Sequence, residues 1–163
     1  MSPIRTFVVI LSSISFIIVI GGAVYEHLAL VPAWTSAVPA SLSVFQGEYR
    51  LAPENFWIPV HPITILLLIG SLILNWKTGR RSFILATLVG YAIVLAITFL
   101  YFVPELMALT QSAYSTAVDP ELTARAGRWE TLSLVRLAFL ILLAISLLYG
   151  LSKPIEYRGR PAY

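Results

Sequence analysis

Residues 57–103 decide the fold: WIPVHPITILLLIGSLILNW (57–76), KTGRR (77–81) and SFILATLVGYAIVLAITFLYFV (82–103). Each outer stretch is close to the ~20 apolar residues that an α-helix needs to cross ~30 Å of hydrocarbon. Between them lie three cationic residues, Lys77, Arg80 and Arg81, in a connection short enough to join two antiparallel helices. The segment reads as a transmembrane hairpin. β-Barrel strands are shorter and alternate in polarity, which these runs do not.

Working outward, two further apolar runs fall at about residues 7–25 and 132–151, so the sequence predicts an all-α, integral membrane four-helix bundle as a single domain over residues 1–163. The whole composition agrees: 58% of residues are hydrophobic and the mean hydropathy is +0.85, far above that of soluble domains. The first run follows Arg5 but is longer than a signal-peptide core and no clear small-x-small site ends it, so it is read as an uncleaved helix. There is no cysteine, which excludes disulfides, thiolate metal ligands and cysteine nucleophiles.

Sidedness follows from charge. Arg5, Lys77, Arg80, Arg81, Lys153, Arg158 and Arg160 lie at the termini or in the inner turn 77–81, and the positive-inside rule makes these, and both termini, cytoplasmic. The outer loops, 28–56 and 104–131, then face the opposite side, and with the helix ends beside them they hold every acidic residue except Glu156. A bacterial inner (plasma) membrane with these loops on the periplasmic or outer side fits the pattern.

Both outer loops are longer than an antiparallel connection requires. The first, with Pro32, Pro39 and Pro53 among apolar residues, is expected to lie on the bundle as short helical or extended pieces that cap it. In the second, Asp119 before Pro120 predicts a capped helix start that runs into the fourth span. Gly21, Gly22 and Gly90 are small residues of the kind that allow close helix contact, and Trp57, Trp76 and Trp129 stand where interfacial anchors are expected.

The only two histidines, His27 and His61, fall at one membrane level, together with Glu26, Glu105 and Glu130. Helix axes ~8–10 Å apart allow side chains from all four ends to meet. His27, His61, Glu105 and Glu130 are candidate ligands for a transition metal such as copper, iron, zinc or manganese. Haem held between the two histidines is a second arrangement, and polar residues solvated at the membrane surface are the alternative to any site. The spacing lacks the Glu-x-x-His pairs of di-iron bundles. No GxGxxG, P-loop or HExxH occurs, and there is no basic stripe for nucleic acid beyond the topology signal.

Arg136 lies about four residues inside its apolar run, or ~6 Å along the helix axis. It either snorkels to the headgroups, pairs with Glu105 or Glu26, or waits for an anionic or carbonyl-bearing ligand. Helical spacing places Trp129, Ser133 and Arg136 on one stripe.

That stripe, Trp129-Glu-Thr-Leu-Ser-Leu-Val-Arg136, resembles the Trp-x-x-x-Asn-x-x-Arg signature on the last helix of the anthrone-oxygenase-like family of small four-helix membrane proteins, with Ser133 in place of the family's Asn. Gly21-Gly-Ala-Val-Tyr25 and Val31-Pro-Ala-Trp34 extend the likeness to the first helix and its exit. The resemblance implies oxygenase-like or oxidoreductase activity on a hydrophobic aromatic or quinone-type small molecule, with Trp129 and Arg136 lining the site. Arg136, Trp129 and Glu26 are the candidate catalytic residues, and His27, His61, Glu105 and Glu130 are read as metal ligands or, without a metal, as acid/base groups in which a His-carboxylate pair takes a proton from a phenol or anthrone carbon. The rival expectation is a non-catalytic subunit of a larger membrane complex, or a homo-oligomer, docking through its outer loops.

Overall fold

The computed structural model describes residues 2–153. Its helices are α1 (Ser2–Ala29), α2 (Val31–Thr35), α3 (Glu54–Asn75), α4 (Arg81–Ile97), α5 (Val103–Thr110) and α6 (Pro120–Leu151). A 3-10 turn occupies Ala40–Phe45, and a π turn, Thr98–Phe102, joins α4 to α5. No strand occurs among the described residues. Since α4, the π turn and α5 form one rod, four helices are long and apolar enough to cross a membrane: Pro3–Ala29, Glu54–Asn75, Arg81–Thr110 and Pro120–Leu151. Of the residues that set the sidedness, Glu156, Arg158 and Arg160 lie outside the described residues.

The helices overrun the apolar runs at residues 7–25, 82–103 and 132–151, because apolar residues mark the hydrocarbon whereas backbone hydrogen bonding continues until something stops it. α6 gains most. Asp119 Oδ1 accepts from the backbone N–H groups of Glu121 and Leu122 at 2.8 and 3.1 Å, and Pro120 supplies the pre-set first position, so the helix starts ~18 Å before Leu132. The π turn has a local cause in Pro104, which has no N–H to return to the carbonyl of Leu100 and crowds it. The chain widens instead, and the Val103 N–H reaches the Thr98 carbonyl.

α1 packs on α3, α3 on α4, α4 on α6 and α6 back on α1, closing a four-helix bundle. Val9, Phe16, Leu68, Ile84, Tyr91 and Leu147 are fully buried along its axis, while Ile14, Leu66, Ile73, Val89 and Leu142 face outward. An apolar exterior around an apolar interior is what a lipid solvent allows. Between lipid-embedded helices, small residues and hydroxyls supply the contacts. A Cβ on Gly22 would lie 2.5 Å from the Phe56 ring, and one on Gly90 2.7 Å from Leu143, so both permit close approach; Gly21 faces open space and does not. Gly150, against Phe83, is a third close contact that the sequence reading missed. Ser12 pairs with Ser71 and Ser15 with Thr64, both at 2.7 Å, tying α1 to α3.

The two ends of the bundle differ. At the end with the tight turn, Arg80 is 6% exposed and donates to the Lys153 carbonyl and to Thr6 Oγ1, linking the turn to both α6 and α1. At the end with the long loops, a second core gathers Val31, Trp34, Val38, Leu42, Leu109 and Trp129. There the first loop lies on the bundle: the Val38 carbonyl accepts from the Asp119 N–H at 2.8 Å, and the Val38 N–H donates to Thr123 Oγ1 at 3.1 Å.

Candidate functional site

α6 carries Trp129, Ser133 and Arg136 on one face, and Trp129 and Arg136 meet the π turn of the rod formed by α4, the π turn and α5. The Trp129 indole N–H donates to the Phe102 carbonyl at 3.0 Å, and its ring packs against Trp34 and Phe102 at 5.4 and 6.0 Å between centroids. At 5% exposure Trp129 is a core residue and not the interfacial anchor its position suggested, because the folded first loop covers it with Trp34. Trp76, at the opposite end, is exposed and lies beneath the Arg81 guanidinium.

Ser133 is completely buried, and its Oγ accepts from Arg136 Nη2 at 2.8 Å. Arg136 Nη1 donates to Thr98 Oγ1 at 3.1 Å, and the guanidinium carbon stands 4.1 Å from the centre of the Phe102 ring. The side chain is half-buried and held on three sides by hydroxyls and a π face. Among the described residues no carboxylate comes within 4 Å of it. Glu105, one of the two partners considered for it, takes Arg125 in a bidentate pair at 3.0 and 2.9 Å. Glu26, the other, remains within electrostatic range of Arg136 but accepts the Trp57 indole N–H at 2.7 Å.

α3 brings His61 to this level between Pro59 and Pro62. Its Nδ1 lies 2.7 Å from the Tyr91 hydroxyl of α4, and its ring stacks on Trp57 with centroids 5.3 Å apart and planes at 20°. Arg136 acts on His61 electrostatically. Counted at ~1.5 Å per residue, His61 stands ~21 Å from Asn75 and Arg136 ~22 Å from Leu151, so the two share a depth from opposite sides of the bundle. Glu26, Trp57, His61 and Tyr91 are thus joined by contacts across α1, α3 and α4, and Arg136 of α6 lies at their depth within electrostatic range of Glu26 and His61, completing a polar band.

His27 is 9% exposed. Its Nδ1–H donates to the Ala23 carbonyl at 2.8 Å, which in the neutral ring leaves the Nε2 lone pair buried and without a partner. Glu130 Oε2 lies 2.7 Å from the Thr35 hydroxyl, which also bonds the Val31 carbonyl. His27, His61, Glu105 and Glu130 therefore take separate partners, and among the described residues no group of three or more His, Asp or Glu side chains could hold a metal ion. A shared depth says nothing about azimuth. Successive helical residues turn by ~100°, so Glu26 and His27, neighbours in sequence, take different partners: Glu26 the Trp57 indole of α3, His27 a carbonyl of its own helix.

The sequence reading omitted Trp57 and Tyr91 as partners of the acidic and imidazole groups, and Thr98 and Phe102 as the seat of Arg136. Tyr91 and Thr98 carried a signal, since a hydroxyl inside an apolar run needs a partner. Comparison with protein-family models, with curated proteins and with solved structures found no match to this chain.

Proposed function

We propose that the chain is a membrane oxidoreductase or oxygenase-like enzyme acting on a hydrophobic aromatic or quinone-type molecule, at a site near the loop end that faces away from the cytoplasm. The observation that carries this reading is Arg136, a half-buried cation among apolar helices with no carboxylate within 4 Å among the described residues and with His61 at its own depth. A cation in that position favours a ligand oxygen that is, or becomes, negative. The resemblance of Trp129 to Arg136 to the anthrone-oxygenase-like signature supports the same substrate class.

For an anthrone-type substrate the chemistry needs a base and an oxyanion partner. His61, with Nδ1–H donated to the Tyr91 oxygen, offers Nε2 to the ring methylene proton, while Arg136 stabilises the enolate oxygen as charge develops. The resulting carbanion adds dioxygen, and the hydroperoxide loses water to leave a quinone carbonyl: one CH₂ and one O₂ give one C=O and one H₂O. This route uses side chains alone, consistent with His27, His61, Glu105 and Glu130 taking separate partners.

The test is oxygen uptake and quinone absorbance with dithranol as the probe anthrone and the full chain in nanodiscs. Wild type is expected to exceed the empty-nanodisc rate, and His61→Gln and Arg136→Met to return to it. Equal rates for wild type and empty nanodiscs would refute the proposal.

A further inference from the structure

We propose that a cleft at the loop end, between the π turn and the start of α6, binds the headgroup of a zwitterionic phospholipid that carries a phosphate and a primary ammonium. The site is separate from the Arg136 band and rests only on the helices lying in a bilayer. The cleft has a volume of about 390 Å³ and is lined by Tyr101, Glu105, Glu121, Ala124, Arg125 and Arg128. Two of its four charges are already spent, since Arg125 and Glu105 neutralise each other in the bidentate pair. That leaves one cation, Arg128, and one anion, Glu121, both exposed and neither in an ion pair among the described residues.

Their placement selects the ligand. Glu121 and Arg128 are nearly two turns apart on one face of α6, ~10 Å along the axis, with the small Ala124 between them. An anionic headgroup would satisfy Arg128 but meet Glu121 as a like charge, whereas a phosphate joined to an ammonium satisfies both. Depth agrees. Tyr101 stands ~30 Å along its rod from Arg81, and Arg128 ~35 Å along α6 from Leu151, against a hydrocarbon core of ~30 Å, so the cleft opens where headgroups begin. Tyr101, 37% exposed, suits that boundary, and Leu100 and Leu132 beneath it turn 82% and 41% of their surface outward, where acyl chains lie.

The experiment is native mass spectrometry of the full chain in detergent, titrated with phosphatidylethanolamine, phosphatidylglycerol of the same acyl chains, or inorganic phosphate. Wild type is expected to retain phosphatidylethanolamine roughly threefold better than phosphatidylglycerol, the scale of one exposed ion pair. Glu121→Gln should remove that preference, and Arg128→Gln should weaken retention of both lipids. Ala124→Leu, which fills the cleft without touching a charge, should weaken both as well. Equal retention of the two lipids by wild type, an unchanged preference in Glu121→Gln, or retention of inorganic phosphate as strong as that of lipid would each overturn the proposal.

Discussion

Replacing Arg136 by methionine separates a functional arginine from a structural one. Methionine keeps the unbranched stem and roughly the side-chain volume but ends about two atoms short of the guanidinium nitrogens, so the change removes chiefly the charged head. Lost are the hydrogen bonds to Thr98 Oγ1 and Ser133 Oγ, at 3.1 and 2.8 Å, and the stack on Phe102 at 4.1 Å. Taking the low end for bonds to neutral hydroxyls, ~1.5 kcal/mol each, and ~0.5–1 kcal/mol for the stack gives a loss of ~4 kcal/mol. Removing a charge only ~6 Å inside the apolar run returns ~1–2 kcal/mol, less than the ~3 kcal/mol of a helix centre.

The groups left behind decide the balance. Thr98 Oγ1 still donates to the Val94 carbonyl at 2.8 Å, and the Ser133 hydroxyl can rotate to the Trp129 carbonyl one turn back, so neither is orphaned. The net cost is ~2–3 kcal/mol, a shift of ~4–12 °C in the unfolding midpoint of the detergent-solubilised protein, read by tryptophan fluorescence. A bound carbonyl or enolate would lose a charge-assisted hydrogen bond of ~1.5–3 kcal/mol, or roughly 10- to 100-fold in binding or in kcat/KM. A midpoint lowered by much more than this, or a variant that fails to accumulate in the membrane, would show that the guanidinium holds the helices together; unchanged binding and turnover would refute the site.

Three further outcomes follow from the packing. Gly150→Ala should destabilise by ~1–3 kcal/mol because its Cβ would lie 2.5 Å from Phe83 Cβ, which is fixed to the backbone, whereas Gly127→Ala, in open space, should stabilise by up to ~1 kcal/mol; midpoints moving in the same direction would contradict the α4–α6 contact. A double-mutant cycle of Ser15→Ala and Thr64→Val should give a coupling of ~0.6 kcal/mol, and zero coupling would mean that their 2.7 Å contact does not tie α1 to α3. Asp119→Ala should cost ~1 kcal/mol and raise amide exchange at Glu121 and Leu122, and unaltered exchange there would rule out the cap.

The four spans were legible because each is a long apolar run, a signal that survives whatever its neighbours do. Their ends were less so. Composition marks where hydrocarbon stops, whereas Asp119 and Pro104 act on the backbone, and only the first of these was readable, because a cap before proline has a fixed meaning at fixed spacing. Gly21 and Gly22 show the same divide within one dipeptide. Both allow a close neighbour, yet only Gly22 faces Phe56, and the direction a residue faces is set by the assembled bundle.

The site divides along the same line. The stripe of Trp129, Ser133 and Arg136 depends on one helix and was readable from spacing alone. The grouping of His27, His61, Glu105 and Glu130 depended on four helices, and there the reading used depth without azimuth. Glu105 illustrates the consequence: it stands at the right height, but α6 begins early enough to place Arg125 beside it, and that pair withdraws from Arg136 the carboxylate nearest to it in chemical expectation. The helix start at Asp119 therefore reaches the site indirectly. Had α6 begun at Leu132, Arg125 would not be carried on the helix that packs against α5, and Glu105 would lack the partner that keeps it from the guanidinium. Ser133 bears on the same point. The position that holds Asn in the resembled signature here needs only an oxygen that accepts from Arg136 Nη2, which a serine hydroxyl provides in a fully buried space. With Ser133 and Thr98 orienting the guanidinium and no carboxylate within 4 Å of it among the described residues, the groups bonded to Arg136 are neutral hydroxyls, which is the arrangement the proposed site requires.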